Sequence, residues 1–166
     1  MIALASYELP NEEWVLPSDT SSAWLVNEPR TIQFPRKVAS SPLSDLLSEI
    51  DRSREILSWE EDWDDEGSPR FQEATWEKAT EFLERHARLL LKKYGLLMPT
   101  PRILPGPGGS IDLHWETERR ELLINVRPDS NLAGFYGEAT GTNSLKGKAD
   151  LDASDLGLFT WLTATD

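Results

Sequence analysis

The chain contains no cysteine. Disulfides, thiolate metal sites and cysteine nucleophiles are thereby excluded, and the absence suits a reducing compartment, so a cytoplasmic location is expected. Histidine is scarce as well. His86 and His114 are the only two, they fall in different expected elements, and neither belongs to a pair spaced like H-E-x-x-H. No serine lies in a G-x-S-x-G elbow. No window approaches the roughly 18 consecutive apolar residues that a membrane span needs. Met1 to Leu9 also lacks the basic start and apolar centre of a signal peptide, so neither anchoring nor export is expected. Basic charge is the last shortage: 17 Lys and Arg against 29 Asp and Glu leave a net charge of −12 over 166 residues. Nucleic-acid affinity comes largely from Lys and Arg displacing counterions, which argues against direct nucleic-acid binding.

What the chain does have is unevenly spread. Residues 41–70 hold ten acidic side chains against three arginines, a local charge of −7, whereas residues 71–100 carry four acids and five bases. One acidic pole follows. Residues 1–41 contain Pro10, Pro17, Pro29 and Pro35, too many for a long helix, together with Trp14, Trp24 and the strand-like run Thr31-Ile32-Gln33-Phe34. This segment reads as an extended arm with one edge strand, followed by a single domain over 42–166.

Ser41-Pro42 signals a helix start. Leu43, Leu46, Leu47, Ile50 and Leu57 then recur at three- and four-residue intervals, which predicts a helix to about Trp59. A second Ser-Pro pair at Ser68-Pro69 opens another helix, with Trp76, Ala79, Leu83, Ala87, Leu90 and Tyr94 as its buried stripe and Gly95 as its stop. The two are expected to form an antiparallel pair. Residues 96–109, rich in proline and glycine, read as a loop. Alternation over Ile111 to Glu116 and Leu122 to Val126 predicts a hairpin through Thr117-Glu118-Arg119. A third strand follows over Leu132 to Glu138, and a short fourth around Ser144 to Ala149. A last helix, capped by Asp152 or Ser154, carries Leu156, Phe159, Trp161 and Leu162. Helices first and a meander afterwards imply an α+β fold with a three- or four-stranded antiparallel sheet.

The most pointed motif is Glu60-Glu61-Asp62-Trp63-Asp64-Asp65-Glu66-Gly67-Ser68. Counted from Asp62, acids stand at positions one, three and five, glycine at six and Glu73 at twelve, close to the calcium loop of an EF-hand. Asp62, Asp64, Glu66 and Glu73 are therefore candidate ligands for calcium or magnesium. Pro69 at position eight and Arg70 at position nine depart from that pattern, and the competing reading is a solvated turn whose carboxylates favour the dipole of the following helix. The turn Gly106-Pro107-Gly108-Gly109 lacks a P-loop lysine and precedes a strand, so it reads as a turn only. His114 alternates with the apolar side of its strand and is expected outward, beside Asp112 and Glu116.

Seven tryptophans are many for a core of this size, and Trp24, Trp59 and Trp63 lie in arm or loop segments. Tryptophan is favoured at interaction hot spots. With Asp62, Asp64, Asp65 and Glu66 they form a candidate partner-binding set. The expected activity is non-catalytic: an acidic module of the antitoxin, immunity or defence-accessory type that covers a basic surface of a protein partner. Two alternatives stand beside it, a nucleic-acid mimic that inhibits a nucleic-acid-binding protein, and a metal-dependent protein or enzyme built on the 62–73 loop.

The strings Glu61-Asp62-Trp63-Asp64-Asp65-Glu66-Gly67-Ser68-Pro69 and Pro105-Gly106-Pro107-Gly108-Gly109-Ser110-Ile111-Asp112-Leu113-His114-Trp115 resemble those of a group of small uncharacterised bacterial proteins. In that group a W-D-x-x-G-S-P turn precedes a helix, and a G-G-S-I-x-L-x-W segment forms a strand. The likeness covers roughly residues 55–162. It implies a bacterial single-domain protein and no particular activity.

Overall fold

Alternating apolar residues assemble into one five-stranded antiparallel meander in a computed structural model that describes residues 41–141 and 144–164. The expected arm, with Trp14, Trp24 and the run at 31–34, lies outside the described residues. The strands are β1 (Arg102–Pro105), β2 (Ile111–Glu116), β3 (Arg120–Val126), β4 (Leu132–Ala139) and β5 (Leu145–Asp150), ordered along the sheet as they are along the chain. The helices are α1 (Ser44–Ser53), α2 (Glu73–Tyr94) and α3 (Gly157–Thr163). The architecture is α+β, as expected.

The sheet has one strand more than expected. β1 falls inside the segment read as a loop, because Pro101 and Pro105 bracket only Arg102, Ile103 and Leu104 and hide the alternation. Proline is tolerated there because β1 is an edge strand, where the missing N–H breaks no ladder on its outer side. β1 then pairs with β2, Ile103 opposite Leu113 and Pro105 opposite Ile111.

The period of two puts Ile103, Ile111, Leu113, Trp115, Leu122, Ile124, Val126 and Ala133 on one buried face. Helix α2 packs on this face against β2 and β3, presenting Trp76, Ala79, Phe82, Leu83, Ala87 and Leu90. Tyr94, expected in that stripe, is 48 % exposed at the last turn of the helix, which ends at Gly95, whose φ of 67° takes the left-handed cap. Helix α3 closes the core with Phe159 and Leu162, and Asp155 Oδ1 accepts from the N–H of Gly157 at 2.8 Å in place of the expected Asp152 or Ser154 cap. Trp115 stands edge-on to Phe159 at 5.7 Å and donates its indole N–H to the Pro99 carbonyl at 2.8 Å. No helix among the described residues is long and apolar enough to cross a membrane.

Both helix starts lie later than the Ser-Pro signals. α1 begins at Ser44, with the Ser41 hydroxyl accepting from Leu43 N–H at 3.3 Å, and α2 begins at Glu73, Ser68 being turned to Asp64 as donor and to the Gly108 N–H as acceptor. The α-helical hydrogen bonding of α1 ends at Ser53 and tightens into a 3-10 turn over Arg54–Ser58. There the Ser53 hydroxyl donates to Ile50 O at 2.7 Å and accepts the Trp76 indole N–H at 2.9 Å.

Glu49 joins α1 to the sheet edge. Its side chain is 8 % exposed, and Oε1 accepts the Ile103 N–H at 3.1 Å while the other oxygen meets Arg52. An outward N–H of β1 that has no neighbouring strand is thus satisfied by a carboxylate. Glu49→Ala is expected to lower stability by about 1–3 kcal/mol in urea unfolding, the cost of stranding that N–H. Glu49→Gln, which keeps an acceptor, is expected to lose clearly less.

His86 is 1 % exposed, stacked between Phe82 at 4.2 Å and Phe159 at 5.1 Å, with Nδ1 2.7 Å from the Phe82 carbonyl. Nδ1 therefore carries the proton and donates. Burial pushes the imidazole pKa below its ordinary 6.5. Below pH 6.5 the unfolded chain takes up a proton that the folded chain refuses, so stability is full above that value and falls as the pH drops toward the folded pKa. Stability measured against pH should show this slope above the carboxylate range, and His86→Leu should remove it.

Candidate functional site

The acidic loop between the 3-10 turn and α2 is folded on itself. Asp62 and Asp65 hold φ values of 61° and 58°, in the left-handed region that aspartate tolerates through local hydrogen bonds, and Gly67 follows at 80°. Asp62 Oδ1 accepts the Gly67 N–H at 2.7 Å, and the Asp62 N–H donates to Ser68 O at 2.8 Å. Asp64 Oδ2 accepts the Ser68 hydroxyl at 2.6 Å, while Oδ1 accepts the N–H groups of Glu66 and Ser68, each at 3.2 Å. The Ser68 hydroxyl, with those two N–H groups, holds the Asp64 carboxyl below its ordinary pKa.

Asp62 and Asp64 are therefore turned onto the loop's own donors. Glu73, the twelfth position of the calcium-loop pattern, faces Arg54 at 3.9 Å. Among the described residues no three such side chains are gathered closely enough to hold a metal ion. The side chains of Glu60, Glu61, Asp65 and Glu66 make no such bonds: all four are exposed, and among the described residues none has an ion-pair partner.

Trp59 and Trp63 fasten this loop to the domain. Their rings meet at 5.2 Å, and both contact the buried Phe71, at 6.5 Å and 5.6 Å. Both residues are half-buried. The Trp63 indole N–H is out of solvent and has no partner among the described residues. Trp24, the third tryptophan of the expected set, lies outside the described residues.

The acidic loop and the glycine turn before β2 meet in space. Ser68 is buried at the end of the acidic loop and its hydroxyl accepts the Gly108 N–H at 3.4 Å. A Cβ on Gly109 would stand 3.4 Å from Pro69 Cγ. Behind the glycine turn, Asn125 Nδ2 donates to Ser110 Oγ at 2.8 Å and to Asp112 Oδ1 at 2.6 Å. This group dictates the glycine at 106, where a Cβ would lie 2.4 Å from Ser110 Oγ. Burial raises the Asp112 carboxyl pKa, opposed by the Asn125 hydrogen bond and the nearby His114. A cleft of about 370 Å³ opens alongside, lined by Pro107, Gly108, Ser110, Asn125, Arg127 and Asp129.

His114 stands on the sheet face away from α2, as expected, but its hydrogen-bond partners come from other strands. Arg102 donates to Nδ1 at 3.0 Å, so Nε2 carries the proton and donates to Glu121 Oε1 at 2.7 Å. Glu116, expected beside the histidine, instead faces Arg102 at 3.7 Å. The Ser68 to Gly108 contact and the Ser110–Asn125–Asp112 group had no signal in sequence beyond the glycines themselves, because they depend on which strands become neighbours.

No family model, no curated protein and no solved structure matches the chain.

If Asp64 is the organiser of the loop, Asp64→Ala should free the N–H groups of Glu66 and Ser68, and their hydrogen exchange should speed up by about tenfold or more while the core strands are unaffected. Unchanged exchange at both amides would show that the indole cluster alone fixes the loop.

Proposed function

We propose that this chain is a non-catalytic interaction module whose acidic loop docks on a basic surface of a protein partner. The observation that carries the reading is the division of labour among the loop carboxylates. Asp62 and Asp64 are spent on holding the backbone, which leaves Glu60, Glu61, Asp65 and Glu66 exposed and unpaired on a pre-formed turn. A rigid display of like charge loses little conformational freedom on binding, and it steers an oppositely charged partner during encounter. Trp59 and Trp63, half-buried and neighbours of these carboxylates in the chain, supply aromatic anchors. An antitoxin, immunity or defence-accessory role would use this chemistry to cover a basic protein.

The test compares the full chain with a Glu60→Gln, Glu61→Gln, Asp65→Asn, Glu66→Gln variant, both immobilised and exposed to extract of the source cells. A partner should be retained by the native chain at low salt, released on the order of 0.5 M salt as the screening length shrinks, and bound about tenfold or more weakly by the variant. A partner held equally by both chains, with no dependence on salt, would overturn the reading.

A further inference from the structure

The two borders of the sheet are finished differently. At β1 the outward Ile103 N–H is taken by the Glu49 carboxylate and α1 packs against the strand, so that border is closed to another chain. At the opposite border β5 is bonded to β4 and to no further strand among the described residues.

Backbone alternation shows which groups β5 leaves free. The Leu151 N–H donates inward to Asn131 O at 2.9 Å, continuing the ladder with β4. In an antiparallel ladder successive residues alternate in direction, so Ala149, Gly147 and Leu145 bond β4 while Lys146, Lys148 and Asp150 direct N–H and C=O away from it. The Asp150 carbonyl is used by the Ala153 N–H at 3.2 Å. The open set is therefore the N–H and C=O of Lys146 and Lys148 and the N–H of Asp150. Lys146, Gly147, Lys148 and Asp150 are all exposed.

The side chains define the chemistry. Lys146 lies opposite Tyr136 and Lys148 opposite Gly134, on the sheet face that carries His114. Neither ammonium has an ion-pair partner among the described residues, although the chain as a whole carries −12. Tyr136 and Leu132, on the adjacent strand, are 42 % and 47 % exposed.

We propose that the β5 edge takes an extended acidic segment of a partner protein as a sixth strand, with its carboxylates in alternate positions against Lys146 and Lys148 and its backbone on the free groups of those two residues. A second copy of this chain fits poorly at the same edge. Pairing β5 with itself about Gly147 sets Lys146 opposite Lys148, and pairing about Lys148 sets that lysine opposite itself while Lys146 meets Asp150; like charges directly opposite across a strand pair repel in both registers. The site is separate from the acidic loop, so it stands or falls independently of the function proposed above.

The experiment uses the full chain with a short synthetic peptide alternating valine and glutamate, and a second peptide alternating valine and lysine. Hydrogen exchange at the amides of Lys146, Lys148 and Asp150 is expected to slow about tenfold or more with the glutamate peptide and not with the lysine peptide. A Lys146→Glu, Lys148→Glu variant, at exposed positions that leave the core untouched, should reverse that preference. Three results would overturn the proposal: no slowing with the glutamate peptide, equal slowing with both peptides, or amides already protected in the free chain. Protection in the free chain that rises with concentration assigns the edge to a second copy, and protection independent of concentration assigns it to another part of the same chain.

Discussion

Burial of a single face of the meander beneath α2 governs the rest of the molecule. Because side chains alternate, committing Leu113, Leu122 and Ile124 to the core commits Asp112, His114 and Leu123 to the other face, and a slip of one residue would exchange the two sets. Each fully buried aliphatic side chain contributes about 1.5–3 kcal/mol, so the register is held by several such groups at once. The Arg102–His114–Glu121 chain and the Asn125 bridge are consequences of that register, formed where the open face brings polar residues from neighbouring strands together.

Much of the fold was legible because it rests on periodicity. The stripe Trp76, Ala79, Leu83, Ala87 and Leu90, the stop at Gly95 and the alternation in β2 and β3 follow from residue spacing alone. β1 was not legible, since three residues between prolines are too short to show alternation and the strand is secured from outside by Glu49. The start of α2 was displaced by contacts made elsewhere in the chain. Ser68 has the right neighbour to cap α2, but its hydroxyl donates to Asp64 and accepts the Gly108 N–H, and those partners appear only once the loop has closed.

The candidate site divides along the same line. Sequence located the acidic loop and its tryptophans, which are local in the chain, and the structure gives different tasks to acids that look equivalent there. In the calcium-loop pattern Asp62 and Asp64 are ligands; in the folded loop their oxygens replace the missing hydrogen-bond partners of N–H groups in a turn with three left-handed residues. The distant contact between Ser68 and Gly108 then ties this loop to the entry of β2, so the acidic loop and the glycine turn form one structural unit.

The crowded space above Gly106 has an evolutionary corollary. With Ser110 Oγ at 2.4 Å and Asp112 Oδ1 at 3.0 Å from the position of a Cβ, a side chain at 106 would push the Ser110 hydroxyl out of its place and take an acceptor from Asn125. Gly106 and Ser110 in one turn and Asn125 on β3 are thereby coupled: related chains that replace the glycine should replace the serine with it.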